Sequence, residues 1–232
     1  MKKYLIIWIW IGIATTAVAQ EIGEKYVGLS IGSSIPTNAE YRFYSNEEVW
    51  YAMPGFHLNM HYDYTLTKNA GVTVLFNTNS HSYNVDEMVR LLWSTDPKMQ
   101  WKFKSDFWTS SAFMGGPYYY YRFQKLEYNT RFLMGYSLSK FPSMTVTTFD
   151  LSDSKTIEQL DERSFSCAVN LGIGVRYSIL NKITLDLNVD YFSTSPVFET
   201  SILSLYDITT IPNGKQKMRM ANVSFGLGYK LR

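Results

Sequence analysis

The chain has 232 residues, 22 of them basic and 20 acidic, one cysteine, and a 16% share of aromatics. So even a charge balance argues against nucleic acid as a partner, because binding it asks for a basic excess. Cys167 is the sole cysteine, which excludes an internal disulfide; lying on the apolar side of an alternating run, it reads as a small buried hydrophobe.

Met1-Lys2-Lys3 is a short positive head, followed by an apolar run from Tyr4 to Ile13 and by Ala17-Val18-Ala19, a small-residue cleavage pattern. Residues 1–19 therefore read as a secretory signal peptide, the apolar run being shorter than the ~20 residues a spanning helix needs. Gln20 follows the cleavage site, so no lipid-anchored cysteine is expected there. Of the 22 basic residues, loss of Lys2 and Lys3 leaves 20 against 20 acidic, a formally neutral mature chain. Residues 20–232 read as one domain.

Beyond this point the pattern is period two, the mark of strands with one apolar and one polar face. Val27, Leu29 and Ile31 alternate with Gly28, Ser30 and Gly32, giving a first strand. A second alternates Phe56, Leu58, Met60, Tyr62, Tyr64 and Leu66 with His57, Asn59, His61, Asp63, Thr65 and Thr67. The third runs from Gly71 to about Asn77. A fourth lies between Trp108 and Phe123, with Phe113, Tyr119, Tyr121 and Phe123 on its apolar side and Gly115-Gly116-Pro117 suggesting a bulge. In the fifth, Leu126, Tyr128, Thr130, Phe132, Met134 and Tyr136 oppose Glu127, Asn129, Arg131 and Gly135. Phe165 to Ile179 and Ile183 to Tyr191 form the sixth and seventh, joined by Asn181-Lys182. The eighth closes the chain, with Val223, Phe225, Leu227, Tyr229 and Leu231 against Asn222, Ser224, Gly226, Gly228 and Lys230.

Short turns at Lys68-Asn69, Gln124-Lys125 and Asn181-Lys182 alternate with long connections over 33–55, 78–107, 138–163 and 194–217. That asymmetry and the even strand number predict an all-β fold, an eight-stranded antiparallel up-and-down transmembrane barrel with its short turns in the periplasm. Ten strands, counting parts of 99–107 and 143–150, is the alternative. A soluble barrel has the same period with its apolar side inward. Three features favour the membrane form. The polar face is rich in Gly, Ser, Asn and Thr instead of Lys and Glu. Tyr62, Tyr64, Tyr119, Tyr121, Phe123, Tyr128, Tyr177 and Tyr229 gather toward the short turns as one interfacial girdle, with Phe56, Phe76, Tyr136, Phe165 and Tyr191 as the other. The chain also stops on a strand, which leaves no open edge only if the last strand pairs with the first.

The signal peptide, the eight strands and the closing run Val223-Ser-Phe-Gly-Leu-Gly-Tyr-Lys-Leu-Arg232 resemble the small outer-membrane β-barrel domain proteins of Gram-negative bacteria, the OmpA/OmpX-type architecture. The resemblance implies a place in that outer membrane among lipid and lipopolysaccharide, and assembly by the barrel-insertion machinery through the closing run. Here that run ends in Leu231-Arg232 instead of an aromatic, with Tyr229 the nearest candidate. No catalytic motif comes with the resemblance.

The polar face assigns Arg122, Arg131, Arg176 and Lys230 against Asp63, Glu127, Asp186 and Asp190 to the lumen. An unpaired charge there would cost several kcal/mol, so a balanced set is expected to form a salt-bridged plug. His57 and His61 join this network; on one strand face they stand roughly 13 Å apart, too far to share one metal ion. No cofactor or metal site is read. His81-Ser82 is a further His–Ser neighbourhood, but adjacent side chains on an extended segment point opposite ways. The expected role is structural or adhesive, through the long loops toward an unspecified extracellular partner. A narrow channel, or less favourably a lipid-modifying enzyme, is the alternative.

Within the loops, Val85 to Trp93 has helical spacing, and Ile211-Pro212-Asn213-Gly214 looks like a hairpin tip. Trp93, Trp101, Phe103, Phe107 and Trp108 are interleaved with Lys98, Lys102 and Lys104. Either they form a partner-contacting surface, or Trp101, Phe103 and Phe107 extend the fourth strand above the membrane and Trp108 anchors it at the interface.

Overall fold

The computed structural model describes residues 23–37, 52–86, 89, 100–149, 154–204 and 207–231. The signal-peptide reading of 1–19, most of the 85–93 helical spacing, Trp93, Lys98 and Arg232 lie outside them; Val85, Asp86 and Val89 carry helical backbone. In chain order the strands are β1 (Lys25–Pro36), β2 (Gly55–Thr65), β3 (Ala70–His81), β4 (Gln100–Ser105), β5 (Trp108–Phe123), β6 (Leu126–Phe141) and β7 (Met144–Phe149). They continue with β8 (Ser154–Gln159), β9 (Glu162–Ser178), β10 (Ile183–Thr194), β11 (Val197–Ser204), β12 (Asp207–Lys215) and β13 (Met218–Leu231).

Eight of these close into an antiparallel barrel in the order β1, β13, β10, β9, β6, β5, β3, β2. Closure comes from the last strand meeting the first, Lys25 opposite Leu231 through to Pro36 opposite Met220, so neither terminal strand offers a free edge. The stagger follows from the register. From Gly28, cross-strand partners lead one way through Gly228 and Thr184 to Ser178. The other way, through His61, Leu75, Met114 and Gly135, they reach Ala168, ten residues before Ser178 on β9. Such a shear tilts the strands by roughly 35–45° and leaves, for eight strands, an interior just wide enough for side chains. The two-residue turn Gln124-Lys125 takes a left-handed residue, and Gln124 supplies it with φ at 54°.

The ten-strand alternative fails because β4 and β7 do not enter the barrel. They belong to a second sheet, ordered β12, β11, β8, β7, β4. This sheet is the barrel wall prolonged. The β5–β6 register, Thr109 opposite Lys140, runs on without a slip through a bond from the Asp106 amide to the Ser143 carbonyl and into Ser105 opposite Met144. Likewise Phe141 opposite Glu162 continues as Met144 opposite Gln159, and Thr194 opposite Met218 as Val197 opposite Lys215. Among the described residues, five of the eight barrel strands thus project beyond the rim on the long-loop side.

Two expected turn features are absorbed differently. Gly115-Gly116-Pro117 makes no register shift, since Gly115 faces Met134 and Tyr118 faces Arg131 at constant offset. Gly116 lies so close to the Phe132 carbonyl that a Cβ would collide with it, which accounts for a glycine without a bulge. Ile211-Pro212-Asn213-Gly214 is not a tip: it lies within β12, where the irregularity between Phe198 and Thr200 accommodates it, and the hairpin closes at Ser204 opposite Asp207.

The outward face is apolar, with Ile31 57%, Ile173 59% and Leu227 57% exposed. A continuous apolar wall of this extent calls for lipid, not water, around it. Cys167 is on this face and exposed, not buried as expected, because its apolar surroundings are the medium outside the wall. Tyr62, Tyr119, Phe123, Tyr128, Tyr177 and Tyr229 are exposed toward the short-turn end, with Tyr64 and Tyr121 half-buried beside them, while Phe56, Phe76, Tyr136, Phe165 and Tyr191 are exposed toward the other.

Candidate functional site

The polar residues of the alternating pattern converge inside the barrel. Because inward positions come every second residue on each strand, β2 delivers His57, His61 and Asp63, β6 delivers Glu127 and Arg131, β9 delivers Arg176, and β10 delivers Asp186 and Asp190, all buried. At the centre of the lower, short-turn half is Arg176. Its Nη1 is 2.7 Å from Glu127 Oε1, its Nη2 2.8 Å from Asp63 Oδ2, and its Nε 3.4 Å from Asp186 Oδ1. The guanidinium also lies 3.3 Å over the Tyr26 ring. Tyr26 in turn donates its hydroxyl to Asp186 Oδ2 at 2.6 Å, and the Thr73 hydroxyl donates to Asp63 Oδ1 at 2.9 Å.

His61 Nε2 is 3.8 Å from Asp63 and 3.7 Å from Asp186, and accepts from Arg176 Nη2 at 3.3 Å. A second pair sits further along the axis, where Arg131 binds both oxygens of Asp190 at 2.7 and 2.8 Å and Asn170 Nδ2 donates to Asp190 at 2.9 Å. Bidentate arginine–carboxylate pairs are the strong geometry for charges withdrawn from water. At the short-turn mouth Arg122 reaches Glu127 at 2.6 Å and Glu24 at 3.1 Å. Lys230 lines the same mouth beside Arg122 and Glu127.

Above the ion pairs the inward positions turn to amides and then to hydrocarbon. His57 Nδ1–H donates to Asn79 Oδ1 at 2.8 Å, with Asn59, Asn77 and Asn222 buried around the same level of their strands. Toward the long-loop rim Leu75, Met114, Leu133, Phe192, Met218 and Met220 join one buried apolar cluster. Three rings crown it: Trp108 to Phe141 at 4.9 Å, Trp108 to Phe198 at 5.7 Å, and Phe141 to Phe198 at 5.6 Å, all edge-on. Such aromatic pairs add about 0.5–1.5 kcal/mol each beyond the area they bury.

Sequence reasoning missed this apolar cap. It took each strand's inward face as uniformly polar, yet Met218 and Met220 continue the inward set that holds Asn222 and Ser224. It missed Glu24, which precedes the first strand, and the inward tyrosines Tyr26, Tyr118 and Tyr120, because aromatics were assigned to the girdles. Trp108 is corrected as well: at 3% exposure it is the floor of the ring cluster and not an interfacial anchor. Trp101 and Phe103 do lie on β4, an in-register prolongation of β5, and the Phe103 ring stacks on Tyr83 at 5.8 Å. His81 points inward, 1% exposed, its Nδ1–H donating to the Met53 carbonyl at 3.0 Å.

A family model described as outer membrane protein beta-barrel domain matches residues 9–230. No curated protein sequence matches the chain. Among similar solved structures is the attachment invasion locus protein Ail of Yersinia pestis, at TM-score 0.47 and 12% identity over 91% of this chain and 100% of that one. Neisserial surface protein A follows at 0.41 and 13%, over 89% and 97%. The N-terminal β-barrel domain of Pseudomonas aeruginosa OprF is similar at 0.38 and 8%, over 90% and 99%.

Proposed function

Because the chain belongs to the outer membrane β-barrel domain family, we propose that it is an outer-membrane barrel with a structural or adhesive role, its lumen filled and its work done by the projecting sheet. The carrying observation is that pairing: five strands run on in register past the rim while ion pairs and an apolar cap occupy the interior beneath them. A conducting barrel needs a continuous aqueous path, and open channels belong to barrels of about 16–18 strands. An enzyme acting on lipid would need a nucleophile and base at the lipid-facing rim; His81, the residue such a site would be built on, is turned inward.

In this reading the signal peptide directs export, the closing strand β13 is read by the insertion machinery, and outer-membrane lipid and lipopolysaccharide surround the wall. The two girdles support that placement, since aromatic belts sit at the two interfaces. The test is a whole-cell attachment assay. Cells displaying the protein are compared with cells displaying a version in which residues 142–161 are replaced by a two-residue Asn-Gly turn, folding being checked by heat-modifiable gel mobility. Loss of attachment from a folded barrel supports the reading. Equal attachment by both overturns it.

A further inference from the structure

We propose that the long-loop rim of the barrel carries a site for one soft monovalent metal ion of the copper(I) class, held by His81 of β3 and by Met218 and Met220 of β13. These three residues line a cavity of about 20 Å³, with Trp108 beside them and Lys217 and Arg219 also on its lining. A space of that size admits one water-sized guest and excludes an organic ligand, since about 10–15 Å³ is what a single water requires. The choice therefore lies between a water and an ion.

The donor set decides between them. His81 Nδ1 carries its proton toward the Met53 carbonyl, 3.0 Å away, which leaves Nε2 as a bare lone pair. That Nε2 is buried with no hydrogen-bond partner among the described residues, on a side chain 1% exposed. A backbone carbonyl holding the second imidazole nitrogen is the outer-shell arrangement that fixes the tautomer and aim of a metal-ligating histidine. Met218 and Met220, 4% and 3% exposed, contribute thioethers, which are weak hydrogen-bond acceptors but good soft ligands. A water could satisfy His81 Nε2, but the two thioethers would offer its protons only weak acceptors. One imidazole and two thioethers favour copper(I) over zinc or the hard cations.

Among the described residues no group of three or more His, Cys, Asp or Glu side chains is arranged to hold a metal ion, so a hard divalent site is not on offer. Lys217 and Arg219 are exposed on the long-loop side, where salt screens them, and they favour a single charge over two. None of this depends on the adhesive reading of the projecting sheet.

Silver(I), redox-inert and of the same softness, is the probe. It is titrated into refolded protein in chloride-free buffer on a Cys167→Ser background, because the exposed thiol of Cys167 would otherwise compete. Methyl-labelled methionine spectra and tryptophan fluorescence report binding at Met218, Met220 and Trp108. The expected result is saturable one-to-one binding that shifts the Met218 and Met220 methyls. It weakens about tenfold or more in His81→Phe and in the near-isosteric Met218→Leu/Met220→Leu pair, the latter keeping the cap packed. No saturable binding on the Cys167→Ser background, or equal affinity in the folded Leu pair, overturns the site.

Discussion

Replacing Arg176 by methionine separates a filled interior from a hydrated one. The arginine contacts three carboxylates, Glu127, Asp63 and Asp186, at 2.7, 2.8 and 3.4 Å, and its side chain is 6% exposed. Methionine keeps much of the side-chain length but removes the cation, leaving those carboxylates facing one another. Were the lumen an aqueous path, the pairs would behave like surface pairs, worth about 0–1 kcal/mol. Withdrawn from water, removal of one partner costs about 3–5 kcal/mol, because an uncompensated buried charge remains. Adding Asp63→Asn to the same chain should return about 1–2 kcal/mol, since one stranded charge is gone and contacting sites are not additive. The assay is reversible urea unfolding in lipid vesicles followed by tryptophan fluorescence, compared at equal denaturant slope. A loss below about 1 kcal/mol for Arg176→Met would refute the desolvated network.

Phe192→Ala, at a residue 0% exposed in the apolar cap, is expected to cost about 3–5 kcal/mol in the same unfolding assay. Gly228→Ala places a methyl group against the Tyr26 hydroxyl that binds Asp186, so about 1–3 kcal/mol should be lost, and a neutral result would contradict the packing around Tyr26. Phe225→Arg, on the outward face at mid-strand of β13, should cost about 2–4 kcal/mol in vesicles, whereas a soluble barrel with water outside would tolerate it. Intact mass of the protein recovered from the membrane should begin at Gln20 if residues 1–19 are removed on export.

Much of the barrel is legible in the sequence because a period of two is a local property. Phe165 to Tyr191 shows both strands, both faces and the turn between them without any knowledge of neighbours. The ionic residues were legible for the same reason: an Arg176 or Asp186 at an inward position of a narrow barrel has few ways to be satisfied except by its opposite. What stayed hidden depends on register between distant strands. Met218 and Met220 fall between the 194–217 connection and the alternation read from Asn222 onward, and only their pairing with Thr194 and Phe192 shows that they still face inward, beneath the ring cluster. Trp108 gives the same lesson, since an aromatic at a strand end can anchor at the interface or cap the lumen, and only the strand's phase decides. The projecting sheet was half visible: Trp101 and Phe103 suggested an extension of β5, but the matching extensions of β9 and β10 lack strong alternation and emerge from ladder continuity.

The most direct measurement is single-channel conductance of the refolded protein in planar bilayers, with heat-modifiable gel mobility confirming that the inserted molecules are folded. A filled lumen predicts a silent baseline from folded protein, and short-lived openings in Arg176→Met, where the three carboxylates around Arg176 lose their common cation. Steady, ion-selective steps from the wild-type chain would contradict it, and would make the interior a path instead of a plug.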